Sequence, residues 1–360
     1  MPYATYPDST LINVRDPQQV LIVAPAWVGD MVMAHVLIQV LRRRYPRLAI
    51  DLVAPPWTAA LGQRMAEVRQ SFSLEMAHGR LDLHLRRAFA REIKPIGHDW
   101  AIVLPSSWKS ALVPYWAEIP HRTGFRGEWR FGLLNDRRQL DKRRLPRTVD
   151  RFVALGLTPA APLPHQLPAP RLQVDAEARQ ATLQRLGLGV PSRPLLALAP
   201  GAEYGPAKRW PVSHYIELAR RQIAAGWAVW VFGSPKDAEI TQAIAAAVPE
   251  AVDLGGQTSL LEAVDLLALA QVTVSNDSGL MHVAGAVGSR VIGLFGSSSP
   301  VMTPPLGRHA KILSKGLKCS PCGKRECPLK HHRCLEDLYP DEVAEAVAGA
   351  ARGISQNLAS

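Results

Sequence analysis

Long apolar runs are scarce in this 360-residue chain. The most hydrophobic stretch, Val20 to Leu41, is interrupted by Pro25, Gly29, Asp30, His35 and Gln39. It therefore offers no window of about twenty clean apolar residues, and nothing is expected to span a bilayer. The first nineteen residues, MPYATYPDSTLINVRDPQQ, lack the cationic start and apolar centre of a secretory signal. Cysteine is rare, and all four residues lie between Cys319 and Cys334 rather than scattered as in a disulfide-stapled secreted domain. Neither the P-loop pattern nor the dinucleotide G-x-G-x-x-G pattern occurs, which counts against ATPase and NAD-dependent chemistry. A cytoplasmic protein is the expectation.

What is present is ordinary for a globular protein: 47% hydrophobic and 20% charged residues, which excludes a disordered chain. At roughly 150 residues per domain the length suggests about two domains. A chain of this size buries about three quarters of its unfolded surface and needs no covalent staple. The net charge of +11 is unevenly placed: residues 1–160 carry 23 Lys/Arg against 14 Asp/Glu, and residues 161–360 carry 19 against 17. The first half, which includes Arg42, Arg43, Arg44, Arg143, Arg144 and Arg147, is expected to meet something anionic.

Short apolar runs alternate with helix-like segments along the chain. Strands are predicted at Leu21–Ala24, Ile50–Ala54, Ala101–Leu104, Leu195–Ala199, Ala228–Phe232, Val272–Ser275 and Val291–Phe295, with helices at Met31–Arg44, Asp175–Leu186, His214–Ala225 and Leu260–Ala270. Strands without polar alternation, separated by helices, are what parallel sheets covered on both faces require. Residues 156–171, GLTPAAPLPHQLPAPR, hold five prolines and read as an extended linker. The fold class is therefore α/β twice over: two doubly wound domains, 1–160 and 161–360, with a ligand cleft expected between them at the carboxyl ends of the strands.

Several strand–helix junctions carry residues suited to chemistry. In AWVGDMVMAH, Gly29 permits close approach of a ligand, and Asp30 stands where the carboxyl edge of the sheet opens; Asp30 is equally a cap for a helix starting at Met31. In VSNDSGLMHVAGAVG a buried strand meets a small-residue helix, so the backbone N–H groups of Ser278, Gly279 and Leu280 form a ready phosphate site. Asp277 would cap that helix or hold a sugar hydroxyl. His282 lies one turn on and would either face an anion or pack in the core. Lys208, in a loop with Gly201 and Gly205, could neutralise a diphosphate or be a solvated surface cation. FGSPKDAE and FGSSSP repeat the small-residue strand end. The cluster CSPCGKRECPLKHHRC, with Cys319, Cys322, Cys327 and Cys334, could hold a structural zinc. Its spacing departs from a two-CxxC ribbon and equally suits reduced surface thiols or a labile disulfide.

Together, APAWVGDMVMAH, PGAEYGPAKRWP, SNDSGLMHVAGAVG and FGSSSPVMTPPLG with the cysteine-bearing tail resemble the lipopolysaccharide heptosyltransferases of glycosyltransferase family 9. The resemblance covers about residues 20–350 in the same order. It is strongest to the branch whose acceptor is the first heptose of the inner core. It implies a GT-B fold of two Rossmann-like domains, the first (1–160) binding the acceptor and the second (161–360) the nucleotide sugar. The activity implied is inverting transfer of L-glycero-D-manno-heptose from ADP-heptose to the lipid A-linked inner core. Asp30 then matches the family's proposed general base, with Gly29 in the acceptor-side loop. Lys208, Asp277, Ser278, Gly279 and His282 match positions around the ADP-sugar.

The phosphates and acidic sugars of such an acceptor would give the basic half its partner, with peripheral contact at the inner face of the inner membrane and no role for nucleic acid. No Asp-x-Asp pair occurs, so no metal or other cofactor is expected for the chemical step. Three alternatives stand beside this reading. They are a family 9 enzyme with a different acceptor, a GT-B-like nucleotide-sugar epimerase, and a nucleic-acid-binding protein, the last without any visible nucleic-acid module.

Overall fold

The computed structural model describes residues 16–75, 81–159 and 161–358, the last six of these as helix backbone only. The chain separates into two compact units, Met1–Pro168 and Ala169–Ser360, and the division falls inside the proline-rich segment.

Unit 1 runs β1 (Gln19–Val23), α1 (Val28–Arg44), β2 (Ala49–Ala54), α2 (Pro56–Gly62), β3 (Val68–Ser73), α3 (Leu83–Ile93), β4 (Trp100–Val103), α4 (Leu112–Trp116), β5 (His121–Phe125), β6 (Asp136–Arg138) and α5 (Thr148–Leu155). Its six strands are parallel in the order β3-β2-β1-β4-β5-β6. The apolar stretch Val20–Leu41 is thus a central strand followed by a helix. Every residue of α1 from Met31 to Leu41 is buried, which explains why its hydrophobic residues show no single stripe. The three arginines that end α1 lie where cations offset the helix dipole. On one sheet face Leu21, Val23, Ala101 and Val103 pack against Phe89, Ala90 and Ile93 of α3. Each fully buried Leu, Ile or Phe contributes roughly 1.5–3 kcal/mol relative to an exposed one.

Unit 2 runs α6 (Ala176–Arg185), β7 (Leu195–Ala199), α7 (Val212–Ala224), β8 (Ala228–Val231), α8 (Ala238–Ala247), β9 (Val252–Asp253), α9 (Leu260–Leu267), β10 (Val272–Asn276), α10 (Gly279–Ala286), β11 (Arg290–Leu294), β12 (Ala310–Leu313), α11 (Arg333–Glu336) and α12 (Pro340–Leu358). Its parallel order is β12-β11-β10-β7-β8-β9. Leu196, Leu198, Val229, Val231, Val272, Val274, Ile292 and Leu294 pack with Tyr215 and Leu218 of α7 and with Val343 and Val347 of α12. Counted within each unit the two strand orders are identical: both begin at the centre, run outward one way, and return to continue on the other side. Such a sheet has one switch point where the crossovers diverge, between β1 and β4 in unit 1 and between β7 and β10 in unit 2. Ligands bind beyond the carboxyl ends of the strands at that point.

The central strands lie within two residues of their sequence-based predictions, and β7 coincides with its own. The predicted helix at Met31 starts earlier, at Val28, and that predicted to Ala270 stops at Leu267. The outer strands β3 (VRQSFS), β5 (HRTGF), β6 (DRR), β9 (VD) and β12 (AKIL) carry no apolar run, because at or near a sheet margin they need bury only part of their surface. Among the described residues no helix is long and apolar enough to cross a membrane.

Candidate active site

In unit 1 the chain leaves β1 through Ala24–Trp27 and enters α1 at the switch point. Trp27, with extended backbone, is the N-cap, and its side chain makes no capping hydrogen bond. Asp30 is therefore not the cap expected of it; it lies in the first helical turn, where the dipole favours a carboxylate. Gly29 shares that turn with helical backbone, not a positive-φ bend. The turn is held from the neighbouring strand end: Trp57 Nε1 donates to the Ala26 carbonyl at 2.7 Å. Trp27 and Trp57 are both 45% exposed on this edge.

Several cations of unit 1 are spread over the domain away from the start of α1. Arg42 donates to the carbonyls of Pro46 and Glu67, at the far end of α1. Arg147 pairs with Asp150 at 2.7 Å. Arg87, Arg91, Lys94 and Arg122 line an open groove with Tyr115, Trp116 and Glu118. Lys94 precedes β4 and Arg122 opens β5, so that groove lies toward the amino ends of the strands. Lys142, Arg143 and Arg144 are exposed in the segment after β6, on the carboxyl edge.

In unit 2 the switch point gathers Lys208, Asp277 and His282. Lys208 Nζ stands 2.6 Å from Asp277 Oδ2, with only 18% and 5% of the two side chains exposed. The solvated-surface reading of Lys208 is overturned by this burial and pairing, and its ammonium also lies 5.2 Å from the centre of the Tyr204 ring. Asp277 does not cap α10: Ser278 is the N-cap and makes no side-chain capping bond. Asp277 instead holds Lys208 and accepts from Thr303 Oγ1 at 3.4 Å. Gly279 is the first residue of α10, so its amide and that of Leu280 are in the first turn, where N–H groups point out of a helix. Ser278 Oγ is 3.1 Å from Ser275 Oγ.

His282 is 4% exposed, and its Nδ1 has no hydrogen-bond partner. Burial pushes its pKa down to about 4, with Asp277 opposing and Lys208 assisting, so the ring is neutral near pH 7. The hydroxyls of Ser297 and Ser298, just beyond β11, are likewise buried without partners. Unpaired buried polar atoms are costly, and they gather here at one strand edge.

A residue whose role the sequence left unread organises this edge. Asn276 is fully buried; its Oδ1 accepts from the Trp210 backbone N–H at 3.0 Å and from the Tyr215 hydroxyl at 3.1 Å. Its Nδ2 donates to the Pro200 carbonyl at 2.6 Å. One amide thus ties the end of β10 to both ends of the loop that carries Lys208. Burial raises the Tyr215 hydroxyl pKa, so it stays a neutral donor.

The cysteine segment buttresses the same loop. Arg325 O accepts from the Ala207 amide at 3.0 Å, and Gly323 O accepts from the Tyr204 hydroxyl at 2.8 Å. Gly205 is required there, since a Cβ would stand 2.6 Å from the Arg325 carbonyl oxygen. The four cysteines are free thiols and line one small cavity with His331 and His332. Burial, aided by the three other thiols, pushes Cys334 up, whereas backbone N–H groups of His332 and of residues 329–331 pull Cys327 down. Cys319 Sγ is 4.0 Å from His331 Nε2. Among the described residues no group of three or more His, Cys, Asp or Glu side chains is arranged to hold a metal ion.

Two parallel doubly wound units of one strand order have the GT-B fold, the fold of one large class of glycosyltransferases. The pattern of "Glycosyltransferase family 9 (heptosyltransferase)" matches residues 86–333. The chain is 42% identical over 337 residues to lipopolysaccharide heptosyltransferase 2 of Escherichia coli, covering 91% of this chain and 97% of that protein. It is 43% identical over 341 residues to lipooligosaccharide heptosyltransferase 2 of Haemophilus influenzae, with the same coverage. The solved structure of E. coli ADP-heptose LPS heptosyltransferase II matches with a TM-score of 0.83 at 39% identity, over 94% of this chain and 99% of that one. The chain belongs to glycosyltransferase family 9 and is an enzyme of that family.

Proposed function

We propose that this enzyme transfers L-glycero-D-manno-heptose from ADP-heptose to the first heptose of the lipopolysaccharide inner core, with inversion at the transferred carbon. Similarity to heptosyltransferases 2 along nearly the whole chain supports the reaction. The observation that carries the donor assignment is the largely buried Lys208–Asp277 pair beside His282 at the switch point of unit 2.

In this reading unit 2, the core of the predicted second domain 161–360, binds the ADP-sugar. The Lys208 ammonium and the amides opening α10 at Ser278 and Gly279 stabilise the charge that develops on the departing diphosphate. Asp277 orients Lys208 and leaves it on one side of the site. His282, neutral, offers a ring nitrogen to a phosphate or sugar oxygen. Unit 1, which contains the predicted first domain 1–160, binds the acceptor, and Asp30 takes the proton of the attacking hydroxyl as the new bond forms opposite the departing diphosphate. Half-exposed Trp27 and Trp57 beside Asp30, with the exposed cations of the carboxyl edge, suit a phosphorylated sugar; an acceptor carried on lipid would be met in the cytoplasm, peripherally at the inner face of the inner membrane.

Product analysis with ADP-heptose tests the whole assignment. Core acceptors bearing no heptose or one heptose should differ, only the second being extended. Extension of the heptose-free acceptor identifies a family member of different acceptor, and release of an altered sugar without transfer identifies an epimerase. For the cysteine segment a structural zinc is a second reading: four thiols line one cavity, but as they stand they are not arranged around a metal ion, so zinc would have to draw them together. Its role would be to stiffen the loop behind Lys208. Purified protein without stoichiometric metal returns those thiols to packing.

A further inference from the structure

The two most exposed large hydrophobic side chains of the described residues are neighbours. Trp129 is 84% exposed and Phe131 is 71% exposed, and their rings meet edge to face at 6.5 Å. Both lie in the loop between β5 and β6, on the carboxyl edge of unit 1. This loop is firmly held. Arg130, between them, is buried, and its guanidinium donates to the carbonyls of Pro105 and Ser106. Burial lowers its pKa to about 10, so it remains a cation. Glu128 N–H donates to Ser106 O at 3.2 Å, and Glu128 Oε2 accepts from Trp108 N–H at 3.3 Å. Gly127 packs so tightly on the Ser106 carbonyl that a Cβ would overlap it. A Trp and a Phe are thereby kept in water by a scaffold that buries the arginine between them.

The surroundings are cationic. The Arg137 guanidinium lies 4.3 Å from the centre of the Phe131 ring. Arg126 is exposed on the same loop, and Lys142, Arg143 and Arg144 are exposed on the next carboxyl-edge segment. The acids of these segments are engaged elsewhere: Glu128 with Trp108, and Asp141 with the amides of Arg143 and Arg144. Amphipathic aromatic rings favour the interfacial layer of a bilayer, and exposed Arg and Lys favour its anionic headgroups.

We infer that the Trp129–Phe131 loop is a membrane-docking element: the two rings enter the interface of an anionic bilayer while Arg126, Arg137 and the 142–144 cations engage lipid phosphates. This inference rests on the peripheral-membrane reading above and names the surface that performs it. The loop holds unit 1 against the bilayer that presents a lipid-linked acceptor, and it takes no part in transfer.

The test compares the full-length enzyme with Trp129→Ser/Phe131→Ser and with Trp129→Phe, on vesicles of phosphatidylglycerol in phosphatidylethanolamine and on phosphatidylcholine vesicles. Expected is binding to the anionic vesicles only, quenching of Trp129 by brominated lipid that disappears in Trp129→Phe, and about tenfold more lipid for half-binding by the double variant. Turnover on a delipidated core acceptor should be unchanged. Equal vesicle binding by the double variant overturns the loop assignment and leaves the membrane reading standing. No binding of the parent enzyme to any vesicle overturns both, while transfer to the delipidated acceptor still reports on the glycosyltransferase reading. Binding to phosphatidylcholine as tight as to anionic vesicles, or a dimer in light scattering that the double variant loses, also overturns it, the latter assigning the loop to a second copy.

Discussion

The two units share one strand order and differ at the point where it turns. At the unit 2 switch point the polar groups are buried and mutually engaged: Lys208 on Asp277, Asn276 bridging Pro200, Trp210 and Tyr215, and a neutral His282 with a free ring nitrogen. At that of unit 1 a carboxylate in the first turn of α1 stands among half-exposed indoles. Preorganised buried dipoles suit a compact, highly charged ligand whose desolvation must be offset at once. An open edge with exposed aromatics and cations suits a large ligand that stays partly in water. The fold chooses where a site lies, and burial decides what kind of ligand it takes.

The hardest break of that contrast is at Asp30. We predict that Asp30→Asn lowers turnover by about a hundredfold to ten-thousandfold, the range of a lost general base. ADP affinity by calorimetry should stay unchanged, since the residue belongs to the other unit. Near-normal turnover would return Asp30 to a role in helix stability.

Lys208→Ala should weaken ADP binding by about tenfold to a hundredfold, as expected for losing a charge-assisted contact. It also strands Asp277 in a buried site and should lower the melting temperature. Combining it with Asp277→Asn should recover stability but not ADP affinity. If the double variant regained both, the pair would be structural only.

His282 sharpens the contrast through pH. Its folded pKa of about 4 lies below the ordinary value of 6.5, so between these values the unfolded chain binds the proton more tightly. The proton-linked cost of its neutral burial is therefore absent above pH 6.5 and grows as the pH falls toward 4, to about 3 kcal/mol. Denaturant unfolding of His282→Gln should show a correspondingly shallower loss of stability across that window. Parallel curves for the two proteins would refute the buried neutral ring.

The smallest effect concerns the charge of unit 1. Rising salt should raise the acceptor KM a few-fold while the ADP-heptose KM moves less, because exposed charges are screened and the buried pair is not. Reversing charge at Arg143 and Arg144 should flatten that dependence, whereas reversing Arg87 and Arg91 in the amino-edge groove should not. An equal response of both pairs would mean that only the total charge matters.

Much of this was legible in the chain itself. The alternation of uninterrupted apolar runs with helical segments determined two parallel α/β units, because a strand buried on both faces has to be apolar throughout. The proline-rich segment marked the division, and the motifs around Asp30, Lys208 and Asp277 determined the family. Sequence did not reveal the outer strands, whose side chains are half in water and need no pattern. Nor did it reveal that Trp27, not Asp30, caps α1, or that Asp277 binds Lys208 instead of capping α10. Asn276, Ser297 and Ser298 read as small polar residues until their burial was known, and no local pattern marked Trp129 and Phe131 as exposed. Local pattern reports what a residue can bury against its own element. Whether a hydroxyl loses its water, or an indole keeps it, is decided by chain brought in from far along the sequence, such as Ser106 beneath Gly127 and Arg325 beneath Gly205.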